Sequence, residues 1–123
     1  MDGILSSVKK LLGLSDEITA FDQDLIIQIN GAISALTQIG VGPSNGFLIT
    51  GNSETYIDFL GDEESGLQLV KLYLFYKTKL GFDPPTNGSI LESLKEMIKE
   101  IECRLSYQVD PKDTFKKAGE NSK

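Results

Sequence analysis

Residues 67–85 read LQLVKLYLFYKTKLGFDPP, and how that stretch folds decides what the rest of the chain must do. From Leu67 to Leu80, polar side chains interrupt an apolar run only at Gln68, Lys71, Lys77, Thr78 and Lys79. Val70, Leu72, Leu74 and Tyr76 alternate with their neighbours as a strand would, but the run outlasts a usual strand and holds no internal turn signal. Leucine, lysine and glutamine favour a helix, and β-branched residues are few. The stretch therefore predicts a helix over 67–80, buried on most of its faces. Gly81 and the pair Pro84–Pro85 are its expected stop. Its bases gather late, which divides it into a core helix through Tyr76 and a charged, rigid exit from Lys77 to Pro85.

Shorter apolar periodicities surround this element. Ile4, Leu5, Val8, Leu11 and Leu12 predict a short amphipathic helix, with Lys9 and Lys10 complementing its C-terminal dipole and Gly13 ending it. Leu25, Ile26, Ile29, Ala32, Ile33, Leu36 and Ile39 predict a second helix over 22–39, with Asp22 and Asp24 in the first turn and Thr19 as a candidate cap. Gly31 suits a close helix crossing, because glycine costs up to about 1 kcal/mol there without one. Ile27 lies off the stripe, on either a wide core face or a contact with another molecule. Turns at 40–46 lead into an extended segment, Phe47 to Ile49, and Ser53 is placed to cap a short helix containing Tyr56, Ile57, Phe59 and Leu60. Ile90, Leu91, Leu94, Met97, Ile98, Ile101 and Leu105 predict the last helix over 89–107, edged by ion-pair spacings such as Glu100 to Arg104.

The fold class expected is all-α. It is a small bundle of about four to five helices around the central apolar helix (67–80), with a short extended segment near 47–49. Residues 1–109 form one helical domain, and 110–123 form a polar tail with a lone aromatic, Phe115, expected to be disordered in the free protein.

Composition narrows function by exclusion. A chain of 123 residues that is 40% hydrophobic and 24% charged is one soluble domain. No apolar run approaches the ~20 residues that span a bilayer, and the start lacks a signal-peptide pattern, so the cytoplasm of the producing cell is expected. The chain has no histidine, which removes most metal sites, catalytic triads and near-neutral proton shuttles. Its formal charge of −6 disfavours generic phosphate-backbone binding. Cys103, the one cysteine, has no base to activate it, follows Glu102, and reads as a semi-buried helix residue.

Apparent motifs yield to simpler readings. Gly40, Gly42 and Gly46 follow a helix instead of a strand and lack a completing lysine, so helix stop and turn win over a phosphate loop. Asp22 and Asp24 do not continue as a calcium loop. Asp58, Asp62, Glu63 and Glu64 read as a solvated acidic surface. Tyr73, Phe75 and Tyr76 lack the basic surroundings of a nucleic-acid stacking platform and read as core. Asn87–Gly88–Ser89 matches a glycosylation acceptor only by chance in an unsecreted chain. Lys71, Lys77 and Lys79 beside Asp83 remain, either at an exposed helix end or in a charged subunit contact.

Several segments in their order carry a resemblance. FDQDLIIQIN, LTQIGVGP (Leu36 to Pro43), GF, DFLG, VKLY, KTKLGFDPP (Lys77 to Pro85) and ECRL resemble the head–tail connector (adaptor) proteins of tailed bacteriophages over roughly Ile4 to Leu105. The resemblance implies a small, mainly helical, non-enzymatic virion protein without cofactor or metal. It implies a ring under the portal protein, in the neck between head and tail. That ring extends the DNA channel without sequence-specific binding and offers a docking surface to a tail-completion protein. The interface residues expected are Gly42, Pro43, Phe47, Asp58 and Asp62 on one edge, with Lys77, Lys79, Asp83, Pro84 and Pro85 on the opposite edge or the portal side. Phe115, in a tail that orders on meeting the portal, completes the set. The alternative reading is a small helical regulatory or protein-binding module without catalytic activity.

Overall fold

A computed structural model of the chain describes residues 3–61 and 66–109. The tail from 110 to 123 and the acidic loop at 62–65 lie outside the described residues. Five helices and no strand occur among those described, as an all-α bundle requires.

The first helix, α1 (Ile4–Leu12), ends on Gly13 in the left-handed region, where the Leu14 N–H donates to the Lys9 carbonyl at 2.8 Å. Ile4, Leu5 and Val8 enter the core, while Leu11 stays largely exposed. Lys9 lies in the last turn of α1, as expected, but it is buried. Its side chain is 3% exposed, its Nζ donates to the Ile18 carbonyl at 2.6 Å, and it pairs with Asp22 at 2.9 Å. An ammonium is buried only when its charge and donors are met, and here the connector folds over it to meet them.

The second helix, α2 (Asp22–Gln38), buries Leu25, Ile29, Ala32, Ile33 and Leu36. Thr19 is not its side-chain cap; its backbone carbonyl accepts the Asp22 N–H at 3.2 Å. Gly31 faces open space, so it does not mediate a crossing. The extended segment is held without a β-ladder. The Asn30 amide donates to the Ile49 carbonyl at 3.0 Å and accepts the Ile49 N–H at 2.8 Å, reproducing the pairing a neighbouring strand would give.

The short helix α3 (Tyr56–Leu60) starts one residue after Thr55, not at Ser53. Thr55 and Asp58 form a capping box, with the Asp58 carboxylate accepting the Thr55 N–H at 2.9 Å and Thr55 Oγ accepting the Asp58 N–H at 3.1 Å. Glu54 is thereby freed to accept from the Thr50 N–H and hydroxyl at 3.0 and 2.8 Å.

The central element, α4 (Leu67–Phe82), packs against α1, α2 and the last helix. Val70, Tyr73, Leu74 and Thr78 are buried, and only Gln68, Leu72 and Gly81 along it are exposed. The helix continues through Gly81, which is no stop. A β-carbon there would overlap the Gln28 side chain, so this glycine is where α2 and α4 approach closely. Asp83, Pro84 and Pro85 then end the helix.

The last helix, α5 (Gly88–Val109), begins where the Asn87 side chain accepts the Ile90 N–H at 3.1 Å. Leu94, Ile98, Ile101 and Leu105 are buried, whereas Ile90 and Met97, expected on the same stripe, point outward. The buried stripe on α5 packs chiefly against α4, so a narrower face suffices than the sequence period predicts. Tyr73 donates to Glu102 at 2.6 Å and fixes the register of the α4–α5 hairpin.

Candidate functional site

Most of the predicted site residues fall into two groups on different parts of the bundle. At the end of α4, Lys79 Nζ donates to the Asp83 carbonyl at 3.3 Å and lies 3.6 Å from its carboxylate. A base there meets the orphan carbonyls of the helix end, so the pair both caps the helix and displays opposite charges outward. Lys77 is half-buried with Nζ 6.0 Å from the centroid of the Tyr73 ring, and Lys71 lies 5.4 Å from that of Tyr56. Pro84 is exposed and Pro85 half-buried. Lys77 and Lys79 lie inside α4, as the helix expected over 67–80 requires, and because the helix runs on to Phe82 the rigid exit beyond it is only Asp83 to Pro85.

The second group gathers on α3. Gly42 adopts φ +84°, and a β-carbon there would overlap the Phe59 ring. Phe47 packs on the same ring at 5.1 Å between centroids. Pro43 lies between them in the turn, and Asp58 is exposed but tied into its capping box. Asp62 and Phe115 lie outside the described residues.

Two grooves accompany these groups along the outer side of α2. One, about 310 Å³, is lined by Phe21, Asp24, Ile27, Gln28, Gly81 and Phe82. The other, about 370 Å³, is lined by Ser34, Thr37, Asn45, Gly46, Phe47 and Leu48. Phe21 meets Phe82 edge to face at 5.4 Å, which seats the start of α2 on the end of α4. Ile27 and Leu48 are each 65% exposed. Ile27 was legible as an off-stripe residue. Leu48 and Phe21 were missed, although alternation across Phe47–Leu48–Ile49 already signalled that Leu48 turns away from its buried neighbour.

The titratable groups serve the fold. Burial pushes the Tyr56 phenol up to about 12, with Ser7 partly offsetting it. Burial, reinforced by the Glu102 carboxylate, raises Tyr73 well above the usual phenol range. Partial desolvation opposes ionisation of Glu54, but hydrogen bonds from Thr50 and Gly51 outweigh it and hold the carboxyl below 4.5. Tyr73 is wholly buried and unable to stack with a base, and Cys103 is exposed instead of semi-buried. Among the described residues no group of three or more histidines, cysteines or acids is placed to hold a metal ion. No described helix is long and apolar enough to cross a membrane.

The arrangement offers one mainly apolar and one mixed groove, rigid turns and charged helix ends, which is the chemistry of contact between macromolecules. Comparison with known proteins agrees. The family model described as phage connector protein matches residues 4–112. No curated protein and no solved structure matches.

Proposed function

Because the chain belongs to the phage connector protein family, we propose that it is a structural connector that assembles as a ring under the portal protein in the virion neck. The family match carries this reading, since residues 4–112 include every helix of the bundle. A closed ring needs two different faces on each subunit, one meeting the other on the next copy. The group formed by Gly42, Pro43, Phe47 and Asp58, continued by Asp62, supplies one edge. Lys77, Lys79, Asp83, Pro84 and Pro85 supply the opposite edge or the portal side, and Phe115 adds a contact from the tail. The ring extends the DNA channel and presents a docking surface to the downstream tail-completion protein. A net charge of −6 suits a conduit through which DNA slides without sticking.

The test is addition of the purified chain to DNA-filled heads that carry portal but no connector. Negative-stain images are expected to show an added ring beneath the portal. Heads that remain bare at saturating protein would refute the reading.

A further inference from the structure

The groove between α2 and α4 is mixed in character, with apolar side chains beside the Gln28 amide and one acid, Asp24. Phe21, Ile27 and Phe82 line it, and Asp24 makes no ion pair or hydrogen bond among the described residues. Such a groove fits an aromatic side chain set among bases, since the ring packs on the apolar side chains and the bases meet the carboxylate. In the segment that follows α5, Phe115 stands among Lys112, Lys116 and Lys117, with Asp113 as the single acid of residues 112–117.

Chain geometry bears on which copy supplies it. The Tyr73–Glu102 bond sets the α4–α5 register, and Phe82 and Val109 lie beyond it in opposite directions along the antiparallel hairpin. At 1.5 Å per helical residue they are about 24 Å apart along the axis, before the width of a helix is crossed. Residues 110–115, fully extended, cover only about 20 Å. The extended backbone falls short of Phe82 along the axis alone, and the width of the helices adds to the gap, so the groove of a neighbouring copy is the one more readily reached. We propose that residues 112–117 of one copy dock in the α2–α4 groove of a neighbouring copy, with Phe115 against Ile27 and the lysines near Asp24. This rests on the ring reading, and it gives the ring a clasp between neighbours that is separate from the packing of the folded bundles.

The 123-residue chain, with Cys103→Ser as background and both Gln28→Cys on the groove wall and Thr114→Cys beside the docking ring, keeps Phe115, Ile27, Asp24 and the lysines in place and tests it under mild oxidation. The readout is non-reducing electrophoresis of the free chain and of chain loaded on portal-bearing heads. A ladder of disulfide-linked dimers and larger species is expected in at least one of the two states, and circular dichroism checks that helicity is retained. In a parallel measurement, Ile27→Glu and Phe115→Ala, in the otherwise native chain, should each weaken the contact between copies by about tenfold or more. A single intramolecularly closed band, or no cross-link in either state, overturns the docking. Heads that load the chain normally yet give no ladder overturn it while leaving the connector reading intact. Loss of loading by Ile27→Glu without any ladder also overturns it, and assigns the groove to the portal protein. A ladder from the free chain with heads left bare does the reverse, supporting the docking and sinking the connector reading.

Discussion

Lys9 shows how one side chain organises a connector that has no regular structure. Its ammonium collects the Ile18 carbonyl and the Asp22 carboxylate, and Asp16 in the same connector accepts from Ser6 Oγ at 2.6 Å. Lys9→Met keeps the stem but strands Asp22, so stability in urea titration should drop by about 3 kcal/mol. Glu54 works through pH. Its carboxyl is held below the ordinary 4.5, so its stabilisation is complete above that value and is lost as pH falls through the lowered folded value. Glu54→Gln should cost about 1 kcal/mol near neutrality, with the gap to the parent narrowing in acid, as thermal melts across pH would record.

Two glycines separate the effects of space and of backbone at the level of elements. Gly42 has a positive φ and faces the rigid Phe59 ring, so Gly42→Ala incurs both strain and overlap. Chemical denaturation should register a loss of about 2 kcal/mol or more. Gly81 is helical and faces only the flexible end of Gln28. There the helix propensity gained by alanine offsets the displacement, and Gly81→Ala should change stability by less than about 1 kcal/mol. Equal losses at the two positions would show that the α2–α4 crossing is as unyielding as the turn. The Asn30 clasp on Ile49 makes a related point, because one side-chain amide keeps an unpaired extended segment against the bundle.

Across the whole molecule the two proposed edges differ, since Gly42 and Phe47 also serve the fold whereas the α4 exit lies largely at the surface. The core takes side chains from all five helices, while Lys79 and Asp83 form a surface pair worth only about 0.5 kcal/mol. Replacing Lys77 and Lys79 by glutamate should therefore leave helicity unchanged and lower stability by about 1 kcal/mol at most. The same variant is expected to lose ring or portal binding, and undiminished loading on portal-bearing heads would remove the α4 exit from the interface. By itself the sequence determined the helical class, five helical stretches, the role of Pro84 and Pro85 in stopping α4, and the kinship with phage connectors. Those signals are local periodicities, turn residues and ordered short segments, which a linear reading contains. Only the tertiary structure decided that Lys9 is buried, that Thr55 and not Ser53 caps α3, that Gly81 and not Gly31 marks the close crossing, and that Ile27 borders a groove. Each of these depends on which competing group lies nearest in space, and periodicity reports a residue's face without naming what that face meets.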